Sequence, residues 1–321
     1  MNTIVEVFEN LKKAEKIALF AHENPDGDAI GSLSAAKAIL SHMGKQAFIC
    51  FAKEPPKKFS YLLSDFLIMP KELDFDTALA LDCGAKSRLG ELASLYETAK
   101  TKLSIDHHFS NTPFADVYFT DHLAAANCEL IYDMAIYLCG CVPKEAMAGI
   151  YTGISTDTGH FKFSNVTKKT MEIAAELIGQ GLDHRSITTI VYDTVRKEKL
   201  AFLGEAYKNI KVLKDGRISF LYCSDELLKK YDIEFSDVEE LPNTILSLEG
   251  VKVAVLLKDK DGGGFKVSMR GKNVADLSEI ASFYGGGGHV NAAGLSIDAE
   301  DYESTLADII EKIDAALAER N

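Results

Sequence analysis

The sequence of 321 residues has no apolar run long enough to cross a membrane and no signal-peptide pattern near its start. Its longest uninterrupted apolar stretches, such as residues 134–139, are far shorter than the roughly 20 residues that span a bilayer. The first 16 residues are interrupted by three glutamates and are typical of an amphipathic helix. We therefore expect no membrane association and a cytoplasmic protein.

Cysteines are few and show no paired spacing. The six cysteines lie in apolar segments, and only Cys139 and Cys141 are close together. A C-x-C pair lacks the second pair of ligands that a structural zinc site requires. We expect free, buried thiols in a reducing compartment.

The chain also has fewer basic than acidic residues. The chain has 35 lysines and arginines against 48 aspartates and glutamates, which gives a net charge of −13. Such a chain repels long duplex nucleic acid and anionic membranes unless positive charge is concentrated locally. Acidic residues can also be gathered to hold metal ions, and composition alone leaves both interpretations open.

The first half of the chain alternates apolar strands with helices. The predicted strands are residues 17–22, 46–51, 77–82 and 102–106, and the predicted helices are 29–43, 123–137, 143–154, 167–178 and 185–195. Strands that are apolar almost throughout are typical of a parallel sheet covered on both faces. We predict an α/β domain with a mostly parallel sheet over residues 1–190.

The pattern changes after about residue 190, and the length of the chain also favours two domains. A charged helix over 197–212 lies in a predicted linker, 191–213, which leads to a smaller α+β domain over 214–321. In that domain we predict strands at 217–223, 251–257, 265–270 and 294–297, helices at 237–248, 274–284 and 302–318, and a hairpin turn at 261–264. A cleft between the two domains is expected.

Aspartates and histidines follow four segments at one predicted edge of the parallel sheet. They are His22, Asp26 and Asp28 after the first strand, Asp82 after the third, Asp106, His107 and His108 at the end of the fourth, and Asp157 at a later helix–loop junction. Ligands of open parallel sheets bind at the carboxyl ends of the strands. Alone, Asp28 could be a helix cap, and Asp82 or Asp157 a turn residue.

The four segments together favour a metal centre. Converging carboxylates repel one another and raise each other's pKa unless cations neutralise them. Carboxylate oxygens with an imidazole suit Mn²⁺, with Mg²⁺ or Co²⁺ as substitutes. A carboxylate shared by two ions about 3.5–4 Å apart is the usual arrangement for hydrolysing phosphoesters.

These segments carry a resemblance to a known family. The runs H-E-N-P-D-G-D at 22–28, L-D-C-G at 81–84, D-H-H at 106–108 and T-D-T-G at 156–159 resemble the four motifs of the DHH phosphoesterases. The run G-G-G-G-H-V-N-A-A-G at 285–294 resembles the signature of the DHHA1 domain. Together they span most of the chain, and the layout is similar to the branch of nanoRNases and 3′-phosphoadenosine 5′-phosphate (pAp) phosphatases.

The resemblance implies a role for each residue. His22, Asp26 and Asp82 would hold the first Mn²⁺, and Asp28, Asp82, His107 and Asp157 the second, with Asp82 shared. Asp106 would orient an imidazole, and His108 would face the phosphate that is cleaved. In the second domain, Gly285, Gly286, Gly287 and Gly288 would let backbone N–H groups approach an oxyanion, with His289 and Arg270 as donors. Lys162 stands where the family often has arginine, and a lysine keeps the positive charge but not the bidentate geometry.

The expected function is Mn²⁺-dependent hydrolysis of short single-stranded RNA, linear dinucleotides such as pApA and pGpG, or pAp. A homodimer is compatible with the resemblance. Two alternatives stay open: a manganese pyrophosphatase, which shares the first-domain motifs but has a different second domain, and a non-catalytic sensor of cyclic dinucleotides or other nucleotides. A sensor would tolerate the loss of an aspartate or histidine ligand, and none is missing. A dinucleotide-binding oxidoreductase is excluded because no G-x-G-x-x-G follows the first strand.

Overall fold

The computed structural model describes residues 2–109, 111–233, 238, 240–260, 263–298 and 302–319. The chain divides into two compact units, Met1–Thr194 and Val195–Asn321. The first contains a sheet of parallel strands and the second a mixed sheet, which confirms the predicted fold class. Among the described residues, no helix combines the length and apolarity needed to span a bilayer.

In the described part of the first unit, six parallel strands form the sheet. They are β1 (Lys16–Phe20), β2 (Gln46–Phe51), β3 (Leu67–Ile68), β4 (Thr77–Leu81), β5 (Thr101–Asp106) and β6 (Val117–Thr120), in the spatial order β3-β2-β1-β4-β5-β6. All five neighbouring pairs are parallel. The two edge strands were not predicted, because β3 has only two residues and β6 is half-buried throughout.

The described residues of this unit form seven α-helices. They are α1 (Ile4–Lys13), α2 (Gly27–His42), α3 (Ala93–Glu97), α4 (Asn127–Cys139), α5 (Lys144–Asp157), α6 (Lys168–Gly179) and α7 (His184–Val191), with 3₁₀ helices at Lys57–Leu62 and Lys86–Leu92. Helices α2 and α5 approach closely, since a Cβ on Gly31 would lie 2.4 Å from the carbonyl oxygen of Gly149. The helix predicted at 123–137 was wrong at its start, because turns occupy 122–126 and α4 begins at Asn127.

The second unit has its own mixed sheet. Its elements are α8 (Lys197–Lys208), β7 (Lys211–Leu213), β8 (Ile218–Cys223), α9 (Asp225–Lys230), α10 (Leu241–Leu246), β9 (Val253–Asp259), β10 (Phe265–Gly271), α11 (Leu277–Phe283), β11 (Gly287–His289), β12 (Ala292–Ile297) and α12 (Tyr302–Glu319). The strand order is β11-β12-β10-β9-β8-β7, in which only β8 and β9 are parallel.

Two helices predicted for this unit need correction. The helix predicted at 197–212 ends at Lys208, and residues 211–213 form β7 instead. The helix predicted at 237–248 is shorter, Leu241–Leu246, and Asp237 lies outside the described residues. Residues 261 and 262 of the predicted hairpin turn also lie outside them.

The two faces of the second sheet are covered differently. On one face, apolar residues of β9 and β10 form a core with Ile309 and Ile313 of α12. On the other face, Leu256 of β9 packs in a cluster with Phe202 of α8 and Ile245 of α10. Lys266 and its neighbours on that face of β10, β12 and β11 are mostly exposed or half-buried. This half of the sheet is therefore accessible to a ligand.

Candidate metal centre

The polar segments meet where the strand order of the first sheet reverses. From β1 the chain runs to β2 on one side, and β4 pairs with β1 on the other. His22 lies two residues beyond β1, Asp82 follows β4 directly, and Asp106 is the last residue of β5. The carboxyl ends of strands at such a reversal form the usual binding crevice of this sheet type.

Asp82 lies between the histidines of this crevice. Its backbone has a positive φ of 52°, a conformation that aspartate tolerates better than most residues. Asp82 Oδ1 is 3.5 Å from Nε2 of His107 and 3.5 Å from Nδ1 of His108, and Oδ2 is 3.8 Å from Nε2 of His22. Asp82 is buried, and within the described part of the chain its Oδ1 has no hydrogen-bond partner.

A first ligand group consists of His22, Asp26 and Asp82, whose ligand atoms lie within 4.8 Å of one another. Asp26 caps α2, because its Oδ1 accepts hydrogen bonds from two backbone N–H groups of the first turn. Burial lowers the pKa of His22, although the charges of Asp26 and Asp82 oppose this shift. A neutral imidazole presents the lone pair that a metal ion requires.

A second ligand group consists of Asp28, His107 and Asp157. Nε2 of His107 is 3.6 Å from Asp28 Oδ2 and 3.2 Å from Asp157 Oδ2. Nδ1 of His107 lies 3.2 Å from the carbonyl oxygen of Ala124, and a hydrogen bond donated there directs Nε2 to the carboxylates. Since Asp82 Oδ1 also faces His107, Asp82 adjoins both groups.

Asp28 is held by a helix that lies far from it in the sequence. Its two carboxylate oxygens accept hydrogen bonds from the backbone N–H groups of Asn127 (2.6 Å) and Cys128 (3.0 Å) at the start of α4. The simple interpretation of Asp28 as the cap of its own helix is therefore wrong, because Asp26 fills that position. A helix N-terminus stabilises a carboxylate that is fully buried.

The electrostatics of the centre favour cations. Burial and the charge of Asp82 raise the pKa of Asp28 to about 7. Burial and the charge of Asp28 raise the pKa of Asp157 to about 9. Burial opposes the charged form of His107, but contact with Asp82 and the charges of Asp28 and Asp157 raise its pKa to about 10. Without cations, the carboxylates are stabilised by bound protons, and a divalent ion can replace these protons.

The donor set fits divalent metal ions. Four aspartates and two histidines supply carboxylate oxygens and imidazole nitrogens, and the buried Oδ1 of Asp82 has no hydrogen-bond partner among the described residues. Such a set suits Mn²⁺ or Mg²⁺ better than a soft, thiolate-binding ion. Burial raises the pKa of Cys83 to about 12, which keeps this neighbouring thiol protonated.

His108 is positioned by residues outside both ligand groups. Its Nδ1 donates to Oδ1 of Asp106 at 2.7 Å, and this bond raises the pKa of His108. Asp106 is fully buried, and Asn111 donates to its other oxygen. Nη1 of Arg88 lies 3.3 Å from Nε2 of His108. The sequence analysis missed Arg88, although it follows Asp82 by six residues in the same segment.

Replacing Gly153 of α5 by alanine should disturb the second ligand group. A Cβ there would lie 2.2 Å from Cys128 Sγ and 2.5 Å from Asp28 Oδ1. Overpacking of this kind costs about 1–3 kcal/mol of stability and displaces Asp28, so thermal unfolding and Mn²⁺ titration should both detect it. Gly179→Ala, whose Cβ would meet no atom within 4 Å, is the control. Equal unfolding temperatures and Mn²⁺ affinities in the two variants would contradict this expectation.

The predicted substrate-binding residues are divided between the two units. Lys162 is exposed in the turn that follows α5, where Gly159, His160 and Phe161 all have positive φ. Its backbone N–H donates to the carbonyl oxygen of Thr158 at 2.9 Å. The left-handed conformation is costly for the two non-glycine residues, and it reverses the chain directly after the metal centre.

In the second unit, Arg270 and His289 lie in one row of the sheet. Both pair in register with Ala292, which separates them on β12. Residues in such a row point to the same face, and this is the accessible half of the sheet. Ala292, the residue between them on β12, contributes only a methyl group to this row.

The four glycines that precede His289 differ in their surroundings. A Cβ on Gly286 would lie 2.3 Å from the carbonyl oxygen of Gly294, and one on Gly288 would lie 2.4 Å from that of Ala292. Gly285 has a positive φ of 73°, and Gly288 one of 145°. Only Gly287 of these four has neither a close neighbour nor a positive φ. Three of the glycines therefore have a structural reason to be glycine.

Comparison with known families identifies the class of protein that has this fold and this cluster of aspartates and histidines. The DHH family N-terminal domain matches residues 16–154, and the DHHA1 domain matches residues 217–319. The chain belongs to the DHH family, in its branch with a C-terminal DHHA1 domain, as the motifs predicted.

Individual proteins with a similar sequence or structure indicate the branch of the family. The bifunctional oligoribonuclease and PAP phosphatase NrnA of Thermus thermophilus is 30% identical over 322 residues, covering 96% of this chain and 92% of that protein. An exopolyphosphatase-related protein from Bacteroides fragilis has a TM-score of 0.88 at 26% identity, covering 98% of this chain and 97% of that one. RecJ of Thermus thermophilus, whose structure contains Mn²⁺, shares the fold with a TM-score of 0.56 at 14% identity, covering 98% of this chain and 55% of RecJ.

Proposed function

We propose that this protein hydrolyses phosphate esters of short oligoribonucleotides and of pAp, using two Mn²⁺ ions per chain. The observation that carries the proposal is the position of Asp82 between two ligand groups, with an unsatisfied buried oxygen. The NrnA relative, which the chain matches over almost its full length, is named for both activities. The net charge of −13 favours short substrates over long nucleic acids.

Each ligand residue has a role in this proposal. His22, Asp26 and Asp82 hold one ion, and Asp28, Asp82, His107 and Asp157 hold the other. Bound divalent ions neutralise phosphate charge and lower the pKa of water. The N-terminus of α4 fixes Asp28 before any ion arrives, so less ordering is required on binding. Asp106 fixes the ring of His108, which then contacts the phosphoryl group.

The second unit supplies contacts to the rest of the substrate. Arg270 and His289 donate to phosphate oxygens from one face, and the glycine strand β11 lets the backbone approach the same ligand. Lys162 contributes a further positive charge from the first unit. We also propose that residues 1–190 form the catalytic domain and residues 214–321 the substrate-binding domain. We further propose a homodimer in solution, and light scattering coupled to gel filtration tests this oligomeric state.

Gly287→Ala tests whether the substrate phosphate must approach the backbone of β11 closely. The added methyl group meets no atom of the protein within 4 Å, so the strand should fold normally. If a phosphate lies against this backbone, KM should rise by about tenfold or more, because a displaced hydrogen bond to a charged group costs roughly 1.5–3 kcal/mol. Steady-state kinetics measure the change. Gly204→Ala in α8, also without neighbours within 4 Å, is the control, and an unchanged KM for Gly287→Ala would remove this contact from the proposal.

A turnover screen tests the function itself. The purified chain is incubated with pAp, pApA, pGpG, an RNA pentamer and pyrophosphate, each with Mn²⁺, Mg²⁺ or Co²⁺. We expect release of mononucleotides or phosphate from the nucleotide substrates with Mn²⁺. Hydrolysis of pyrophosphate alone would favour a pyrophosphatase, and tight binding of nucleotides without turnover would favour a sensor.

A further inference from the structure

Arg88 is fixed between two segments of the metal centre. It lies in the 3₁₀ helix Lys86–Leu92, and its carbonyl oxygen accepts a hydrogen bond of 2.8 Å from the backbone N–H of Glu23, the residue after His22. A Cβ on Gly90 in the same helix would lie 2.5 Å from Oε2 and 3.2 Å from Cβ of Glu23, so the two segments run close together. The backbone that carries Arg88 is therefore held against the first ligand group.

The guanidinium of Arg88 makes few contacts for its position. Its Nη1 lies 3.3 Å from Nε2 of His108, and because a guanidinium can only donate, His108 is the acceptor. Within the described ranges of the chain, no carboxylate lies within 4.0 Å of this guanidinium, although several aspartates line the neighbouring centre. A guanidinium has five N–H donors, so most of those of Arg88 remain available to an anion.

The side chain is also the type that phosphate recognition favours. The planar fork of arginine matches two oxygens of a phosphoryl group, and its charge does not depend on pH. Arg88 is half-buried, which strengthens its interaction with an anion relative to a fully solvated arginine. Its position beside His108 and near Asp82 places it at the metal centre, while Arg270 and His289 belong to the other unit.

We propose that Arg88 is a catalytic residue that binds a non-bridging oxygen of the phosphoryl group being cleaved, in nucleotide phosphate monoesters and diesters alike. This inference rests on the proposed function. Hydrolysis joins a water oxygen to phosphorus, breaks the bond from phosphorus to the leaving ribose oxygen and transfers one proton of that water to the leaving oxygen. Arg88 contributes no atom, and it stabilises the negative charge that spreads over the phosphoryl oxygens.

A purely positioning role for Arg88 is the rival explanation. In that case the guanidinium would only hold the ring of His108, and a lysine that reaches the same acceptor would serve equally well. A catalytic arginine instead requires its own charge and fork at the phosphate. The two explanations differ in substrate kinetics, in phosphate affinity and in chemical rescue.

The test compares Arg88→Ala and Arg88→Lys with Arg185→Ala, a matched removal of an exposed arginine in the same unit. For Arg88→Ala we expect kcat to fall by about 100- to 1000-fold, with a smaller change in KM. In Arg88→Lys, kcat should recover only part of this loss. Millimolar guanidine should raise the rate of Arg88→Ala at least tenfold and leave the rate of Arg185→Ala unchanged. The rise in unfolding temperature on adding Mn²⁺ should match wild type in all three variants.

A second measurement does not depend on turnover. The affinity of the Mn²⁺-loaded protein for inorganic phosphate, measured by calorimetry, should fall at least tenfold in Arg88→Ala and not in Arg185→Ala. If the wild-type protein hydrolyses none of the substrates, the proposed function fails, while phosphate affinity still decides the role of Arg88. The inference would be overturned by any of three results: a phosphate affinity of Arg88→Ala equal to that of wild type, an activity of Arg88→Ala within twofold of wild type, or full activity of Arg88→Lys.

Discussion

Asp82→Asn should lower the rate of phosphoester hydrolysis by on the order of a thousandfold. Asp82 faces His22 through one carboxylate oxygen and His107 and His108 through the other, so the amide removes charge from both ligand groups at once. An amide has the same shape, but its nitrogen cannot bind a cation. Steady-state kinetics with Mn²⁺ measure the loss.

The stability of the same variant separates a loss of metal binding from a loss of folding. Without metal, removal of one buried carboxylate relieves repulsion, so Asp82→Asn should unfold at the same temperature as wild type or above it. Each bound Mn²⁺ ion, at a hundred times its Kd, stabilises the wild-type protein by about 2.7 kcal/mol, and this gain should largely disappear. Asp74→Asn, at a side chain that is 85% exposed, is the control. Activity within tenfold of wild type would remove Asp82 as the shared ligand.

The convergence of the polar segments could be predicted because parallel strands share one carboxyl edge. Asp82 and Asp106 stand at the ends of apolar runs, and the strand pattern alone brings them near His22. The type of each chemical group is read directly from the sequence. The fold class could be predicted as well, because strands that alternate with helices along the chain are typical of a parallel sheet.

Contacts between distant segments could not be predicted in this way. The bond of Asp28 to the start of α4 joins residues about a hundred positions apart, and no local signal marks it. The start of α4 was misplaced for a related reason, since the cap of this helix is a side chain from α2. The contact of Arg88 with His108 depends on how a 3₁₀ helix folds back, which periodicity does not reveal. The glycine run was expected to let backbone N–H groups approach an oxyanion, and the strand β11 that part of it forms could not be predicted, because it depends on close packing against β12.

Affinity for Mn²⁺ should rise steeply with pH between about 6 and 9. The raised pKa values of Asp28, Asp157 and His107 mean that these groups hold protons near neutrality, and each proton that a cation displaces adds about tenfold in affinity per pH unit. Calorimetric titrations in buffers with different ionisation enthalpies count the displaced protons. An affinity that does not change with pH would contradict the protonation of these groups.

The same groups should make the stability of the metal-free protein depend on pH differently from that of the metal-loaded protein. Asp28 and Asp157 bind protons more tightly when folded, which destabilises the metal-free fold as pH rises from about 4 towards 7 and 9, respectively. His107 contributes stability below its unfolded pKa of 6.5, and this contribution is lost as pH approaches 10. Unfolding temperatures with a chelator should therefore fall from pH 6.5 to 9, whereas saturating Mn²⁺ should flatten or reverse the trend. In Asp157→Asn, which lacks one of the titrating carboxyls, the fall with chelator should be shallower, and a slope equal to wild type would exclude Asp157 as a source.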